Sequence, residues 1–199
     1  MKLYEQIVLG QIKSNERVID LGCGSGGLLQ ELRQKKQCEG YGIENDFNAV
    51  MVALEKGIPV YQGDVLEGLK QFETNAFDVA ILSQTLQQVI NPLALLQEMC
   101  RVSKRAIITF PNFGYWRVRL HLLLTGVPPI TKQLPFEWFD TPNIRVITNK
   151  EFRQLCHNQG YKIIKEIPLI RNRIQRLLFP IRFTNFLTEK GIFIIEKSS

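Results

Sequence analysis

The stretch VIDLGCGSG, Val18 to Gly26, decides the fold of this 199-residue chain. Its apolar run ends at an acid, Asp20, and glycines follow at alternate positions, Gly22, Gly24 and Gly26. Glycine allows a tight turn and lets the backbone approach a ligand closely. The pattern therefore predicts a ligand-binding turn between a strand and a helix.

The ligand that this turn favours carries no phosphate. A dinucleotide-binding turn has the spacing GxGxxG and places a pyrophosphate at the helix N-terminus, whereas these glycines alternate and an acid precedes them. S-adenosylmethionine, with its sulfonium, ammonium and carboxylate groups, and its product S-adenosylhomocysteine are such ligands. We predict that Asp20 stabilises the ammonium through water. The loop around the ligand is predicted to contain Gly22, Cys23, Gly24 and Gly26.

Further polar residues follow the next predicted strands. Glu44 ends the second strand, 18 residues after Gly26, and a carboxylate there is able to accept hydrogen bonds from both ribose hydroxyls. Open parallel sheets bind ligands at the carboxyl ends of their strands. The predicted cofactor-binding set is completed by Asn45, Asp64, Val65 and Ser83, with Asp64 placed to accept a hydrogen bond from the adenine amino group.

Each of these residues also has a purely structural interpretation. The glycines then serve only a turn, Glu44 caps a helix and Asp64 belongs to a turn. Their order at the ends of successive strands favours the nucleoside-binding interpretation over three separate coincidences.

Strand and helix signals alternate through the first half of the chain. Helical spacing predicts a helix at 49–56 and another that begins at Pro92. The run FDVAIL is continuous, as in a strand that is buried on both faces. Short apolar runs predict strands at 17–20, 39–44, 58–62, 77–82 and 106–110. This rhythm predicts a Rossmann-like α/β fold, a parallel sheet with helices on both faces.

The second half is organised differently. Residues 111–143 contain five prolines, many aromatic side chains and little periodicity. Thr148 and Glu151 form a capping-box pattern that opens a helix, and Gly160 suits its end. Strands are predicted at 161–170 and 191–197. We therefore expect one domain over 1–199, with a cap inserted at about 111–147.

Five blocks together resemble the MetW family of methionine biosynthesis proteins: VIDLGCGSG at 18–26, YGIEND at 41–46, FDVAILSQTLQQV at 77–89, FPNFGYW at 110–116 and LPFEWFDTPNIR at 134–145. The resemblance implies a class I methyltransferase fold with a mostly parallel seven-stranded sheet and an antiparallel C-terminal strand. It also implies a role beside homoserine O-acyltransferase, with which family members pair.

Catalysis is not settled by the sequence. The segment after the fourth strand reads SQTLQQV, where amino-methylating enzymes carry an NPPY-type motif and many small-molecule methyltransferases carry paired histidines. Glutamines do not act as general bases at neutral pH, so no catalytic residue is predicted. The cap offers either an acceptor pocket or a protein-binding surface, and the residues concerned are Tyr115, Trp116, Trp138, Phe139 and Asp140. His121 and His157 are interpreted as structural or surface residues.

Charge and composition narrow the function classes. The net charge is +6, and residues 1–99 hold 8 Lys/Arg against 13 Asp/Glu, whereas residues 100–199 hold 17 against 6. A basic half suggests either an anionic partner or a solvated surface. Arg171, Arg173 and Arg176 resemble a basic helix face. The four scattered cysteines are interpreted as buried thiols, and two histidines make a metal site an unfavourable interpretation.

Three hypotheses follow. In the first, the chain binds S-adenosylmethionine or S-adenosylhomocysteine and acts with homoserine O-acyltransferase; in the second, it is a free-standing methyltransferase with a small-molecule acceptor. A nucleic-acid enzyme ranks last, because no recognition module accompanies the basic charge. No apolar run long enough to span a membrane and no signal-peptide pattern stand in the sequence, so a cytoplasmic location is expected.

Overall fold

The computed structural model describes residues 3–131, 134–169 and 183–197. Seven strands form one sheet in the order β3-β2-β1-β4-β5-β7-β6. Six strands run parallel, and β7 is antiparallel to both of its neighbours. The strands are β1 (Arg17–Leu21), β2 (Glu39–Glu44), β3 (Val60–Gln62), β4 (Phe77–Ser83), β5 (Ser103–Pro111), β6 (Tyr161–Glu166) and β7 (Lys190–Lys197).

Helices connect the strands. They are α1 (Leu3–Gly10), α2 (Gly27–Lys36), α3 (Phe47–Glu55), α4 (Val65–Leu69), α5 (Pro92–Val102), α6 (Trp116–Thr125), α7 (Asn149–Asn158) and α8 (Thr184–Leu187), with a short 3-10 helix at Leu86–Gln88. Within the described ranges, no helix is both long and apolar enough to cross a membrane.

The core lies on both faces of the sheet, because neighbouring residues of each central strand point to opposite sides. Ile19 packs with Leu95 and Phe152 on the face that α5 and α7 cover. Val18 packs with Val8 and Leu29 on the face that α1 and α2 cover. The predicted α/β architecture with helices on both faces is confirmed, as is the antiparallel C-terminal strand.

Prolines shorten two of the predicted strands. The strand predicted at 161–170 ends at Glu166, where Pro168 follows and has no N–H to donate to the ladder. The strand predicted at 58–62 begins at Val60, after Pro59. The capping box at Thr148 and Glu151 is present, and both of its hydrogen bonds form.

A helix that the sequence pattern does not reveal lies in the cap. Helix α6 has no buried residue, although it contains four leucines. Leu120, Leu123 and Leu124 recur at the spacing of one helix face and Val127 continues the row, with exposed fractions of 43%, 80%, 73% and 58%. We call these four residues the apolar stripe. Trp116, Val118 and Leu122 add apolar residues outside this stripe, so the sequence of α6 shows no clear separation into an apolar and a polar face.

Asn112 fastens the start of the cap to the C-terminal part of the chain. Its side-chain N–H groups donate to the carbonyls of Asn185 and Thr188 at 2.9 and 2.8 Å. Its oxygen accepts from the backbone N–H groups of Gly114 and Asn149 at 3.0 and 3.2 Å. One buried amide thus joins the end of β5, the start of α7 and the α8–β7 connection.

Candidate functional site

The glycine turn follows the central strand β1, at the edge where the chain switches from one side of the sheet to the other. Gly22, Gly24 and Gly26 have φ angles of 74°, 54° and 70°, a left-handed conformation that glycine adopts without steric cost. A Cβ atom at Gly22 would lie 2.6 Å from the hydroxyl of Thr85. Gly22 is therefore closed to larger residues both by its backbone conformation and by its contact with Thr85, in the segment after β4.

Glu44 ties this turn to the end of β2. One carboxylate oxygen accepts from the backbone N–H of Gly24 at 2.7 Å, and the other accepts from Asn45 and Asp46 at 2.8 and 3.0 Å. Helix α3 is capped by Asp46, which accepts from Ala49 at 3.0 Å. The alternative that Glu44 is a helix cap is therefore wrong.

Asp20 is a buried carboxylate at the end of β1, with 3% of its surface exposed. Burial, followed by the charges of Glu44 and Glu5, raises its pKa to about 7. Its Oδ1 atom has no hydrogen-bond partner among the described residues. A buried polar atom without a partner costs free energy, so this oxygen is available to a polar or cationic ligand.

The glycine turn and Asp20 meet in a cleft of about 540 Å³. It is lined by predicted residues Asp20, Gly22, Cys23, Gly24 and Ser83, and by Tyr4 and Glu5 of α1, which the sequence analysis missed. Tyr4 and Glu5 reach the cleft through tertiary packing alone, so no local pattern identifies them. The thiol of Cys23 points away, since a Cβ atom at Gly42 of β2 would lie 2.5 Å from its sulfur.

The other predicted binding residues lie outside this lining. Gly26 precedes α2 in its left-handed conformation, and Asn45 follows β2. Asp64 caps α4, and one of its oxygens accepts from Leu66 and Glu67 at 2.8 and 3.2 Å. Val65 is the first residue of α4. Asn45 thus lies just after β2, and Asp64 and Val65 lie shortly after β3. Glu44 also lies outside the lining and contacts the cleft through Gly24.

A second cavity, of about 390 Å³, lies under the cap between α6 and the residue before β7. Of the cap residues predicted to line a pocket, Tyr115 lines this cavity, whereas Trp116 does not. Trp138 and Phe139 are 80% and 71% exposed, and Asp140 is exposed beside them. The cap aromatics therefore divide between an inner cavity and an outer surface.

All four cysteines are buried and reduced, as the sequence analysis expected. His121 lines the second cavity and His157 is exposed on α7. The described part of the chain contains no cluster of His, Cys, Asp and Glu arranged to hold a metal ion. The basic face predicted at Arg171, Arg173 and Arg176 lies outside the described residues.

Comparison with known families gives one match over nearly the whole chain. The model of the family described as methionine biosynthesis protein MetW matches residues 4–195. The chain belongs to the MetW family. The match extends beyond the blocks on which the resemblance rested and includes the C-terminal strands.

Two curated relatives of this MetW chain are longer proteins. A bifunctional methionine biosynthesis protein MetXA/MetW of Rhodopirellula baltica is 36% identical over 84% of the chain, which spans 28% of that protein. The UbiE C-methyltransferase of ubiquinone and menaquinone biosynthesis from Xylella fastidiosa is 31% identical over 49% of the chain, which spans 42% of that enzyme. The chain therefore spans less than half the length of either relative.

Solved structures confirm the fold of the MetW chain. A Haloferax volcanii methyltransferase in complex with the Trm112 activator superposes with a TM-score of 0.69 at 15% identity, covering 98% of this chain and 88% of that one. An S-adenosylmethionine-dependent methyltransferase from Thermotoga maritima gives the same TM-score at 17% identity, with the same coverage. These similarities show the class I methyltransferase fold.

The raised pKa of Asp20 predicts that the affinity for ligands with an ammonium group depends on pH. Because its pKa is about 7, the free protein loses the ionised carboxylate as pH falls. Affinity for S-adenosylhomocysteine is expected to fall between pH 7.5 and 5.5, by up to roughly tenfold per pH unit below 7. Calorimetry in buffers of different ionisation enthalpy measures the affinity and the proton released.

The control for this titration is Asp20→Asn, which should bind more weakly and lose the pH dependence. Glu5, Glu44 and Tyr4 also face Asp20, and they remain in the variant. A profile that keeps its slope in Asp20→Asn would assign the proton to another group.

Proposed function

We propose that residues 1–199 form one MetW domain of a cytoplasmic protein, with a cap at about 111–147. It binds S-adenosylmethionine or S-adenosylhomocysteine and acts with homoserine O-acyltransferase in methionine biosynthesis. The observation that carries the proposal is the family match over residues 4–195. A relative named MetXA/MetW joins a MetW region to further chain in one protein, which supports a physical partnership.

The cleft supports the cofactor part of this proposal. The ligand fits the partnerless oxygen of buried Asp20, which suits an ammonium group, and the glycine turn, where Gly22, Gly24 and Gly26 carry no side chain. Glu44 holds that turn and retains lone pairs, since a carboxylate has about four acceptor positions and three are in use. When bound, S-adenosylmethionine supplies a transferable methyl group.

Each predicted residue has a role in this proposal. Asp20 binds the ammonium, and the loop from Gly22 to Gly26 surrounds the amino-acid portion. Glu44, with Asn45 beside it, binds the ribose. Asp64 has one oxygen that caps α4 and a second that is able to accept from the adenine amino group. Val65 supplies a backbone N–H, and Ser83 closes the far side of the cleft.

The apolar stripe supports the partner part of the proposal. Exposed contiguous apolar surface marks protein interaction sites in soluble proteins, and a helix that presents residues at i, i+3 and i+4 suits a groove on a partner. Trp138 and Phe139 add exposed aromatic area in the same cap, and aromatic residues are common interface anchors. We assign homoserine O-acyltransferase as the occupant of this surface.

A charge placed in the stripe should prevent this association. The wild-type chain is expected to form a stable complex with the homoserine O-acyltransferase of the same cell, and Leu123→Glu/Leu124→Glu should weaken it at least 30-fold, roughly 2 kcal/mol. Surface binding kinetics and size-exclusion chromatography measure the complex. The matched control is Leu54→Glu on α3, which is 47% exposed.

Circular dichroism of both variants ensures that lost binding does not reflect unfolding. Failure of the two wild-type proteins to associate would overturn the partnership. Equal affinity of the double variant and the wild type would show that the interface does not include the apolar stripe.

A free-standing methyltransferase is the second candidate. It is favoured by the second cavity, which offers room for a small acceptor, and by the named activity of UbiE relatives. This candidate predicts transfer of labelled methyl groups to a metabolite in a cell extract, with loss of the product in Glu44→Gln. An extract that yields no labelled product would reject it.

A further inference from the structure

The second cavity combines apolar walls with opposite charges. Its apolar side chains include Val118 of α6 and Ile130 and Leu134 of the cap. At about 390 Å³ it lies towards the lower end of ligand pockets, which hold roughly 300–1,000 Å³. Its size therefore suits a small metabolite rather than a nucleotide.

The negative group of this cavity is Glu189. Glu189 is half-buried. Burial of Tyr115 raises the pKa of that neighbouring side chain, and the charge of Glu189 raises it further. Within the described residues Glu189 forms no ion pair with a Lys, Arg or His side chain. A half-buried carboxylate without a cation is a receptor for an ammonium group.

The groups able to bind an anion lie on α6. Arg117 and His121 are four residues apart and so share one helix face, the face that lines the cavity. Arg117 lies over the ring of Trp116 at 5.2 Å, and no carboxylate of the described chain pairs with it. A guanidinium and an imidazole in this arrangement suit a ligand carboxylate.

We propose that the second cavity binds a small zwitterionic α-amino acid. Its ammonium pairs with Glu189, its carboxylate pairs with Arg117 and accepts a hydrogen bond from His121, and its side chain lies against Val118, Ile130 and Leu134. This site goes beyond the proposed function, because it requires neither the cofactor nor the acyltransferase.

The site is separate from the cofactor cleft, although the two share a connection. Lys190 follows Glu189 and is 5% exposed. Its ammonium donates to the side chain of Gln84 at 2.7 Å and lies 4.1 Å from the ring centroid of Tyr4, which lines the cleft. Glu189 thus lines the second cavity, whereas the next residue, Lys190, contacts Tyr4 of the cleft.

Calorimetric titration with L-methionine tests the proposal on the full chain. Saturable binding is expected in the presence of saturating S-adenosylhomocysteine. Two probes that lack one charge each, 3-(methylthio)propylamine and 4-(methylthio)butanoate, should bind at least tenfold more weakly. Glu189→Gln and Arg117→Gln should each weaken L-methionine binding at least tenfold. Glu137→Gln and Lys150→Gln are the matched controls, and they should leave it unchanged.

Three results would overturn the proposal: no saturable binding of L-methionine, equal affinity in the two cavity variants, or loss of binding in Asp20→Asn, which would place the amino acid in the cofactor cleft. S-adenosylhomocysteine binding is measured separately on each protein. If S-adenosylhomocysteine does not bind, that result would count against the proposed function and not against the second site.

Discussion

Glu44→Gln is expected to reduce the affinity for S-adenosylhomocysteine at least 100-fold, roughly 3 kcal/mol. The substitution keeps the size of the side chain and removes the charge. It weakens two sets of charge-assisted hydrogen bonds at once: those that hold Gly24, Asn45 and Asp46 in the unliganded chain, and those proposed for the ribose hydroxyls. Calorimetry with wild type and variant at pH 7.5 measures the difference.

The matched control is Glu55→Gln at the exposed end of α3, where the same charge is removed away from the cleft. Thermal denaturation of Glu44→Gln separates a binding defect from a folding defect. A folded Glu44→Gln protein that binds as tightly as wild type would reject the predicted ribose contact. Wild-type protein that does not bind the ligand would reject the cofactor part of the proposed function.

Asn112→Ala is expected to lower the free energy of unfolding by about 3–5 kcal/mol. The substitution leaves two carbonyls and two backbone N–H groups without the partners that the Asn112 amide supplies. The site is 2% exposed, so water does not readily replace these bonds. Since domains of this size are stable by roughly 5–15 kcal/mol, this loss is a large fraction of the total.

Urea denaturation followed by circular dichroism measures this effect, with Asn158→Ala as the control. Asn158 is exposed at the end of α7, and its replacement should change the unfolding free energy by no more than about 0.5 kcal/mol. A loss below about 1 kcal/mol for Asn112→Ala would show that the amide network does not hold the cap to the C-terminal strands.

The sheet could be predicted from the sequence because its strands have a local signal. FDVAIL is a strand because both of its faces are buried, and Phe77–Ser83 forms at the predicted place within one residue. Capping is equally local: Thr148 and Glu151 identify the start of α7 by side-chain chemistry alone. The number of strands and the antiparallel direction of the last one, by contrast, were implied by the family resemblance rather than by periodicity.

Helix α6 shows where local patterns fail. Tyr115, the residue before the helix, makes no capping hydrogen bond through its side chain. Apolar residues lie on several faces of the helix. No amphipathic period or cap was present to detect. The cleft shows a second limit. Asp20 and Glu44 lie at the ends of β1 and β2, where strand patterns point to them. Tyr4 and Glu5 reach the cleft from α1 through tertiary packing, which no local pattern predicts.

The two edges of the sheet constrain how another chain can join this one. Strand β3 pairs through only three residues, and β6 has an irregularity between Ile163 and Lys165 and two lysines, Lys162 and Lys165. Short, irregular and charged edges discourage the addition of a further strand. As far as the described residues extend, neither edge is a template for main-chain pairing. A partner must therefore be recognised through side-chain contacts. Substitutions in the cap can change those contacts without altering the sheet.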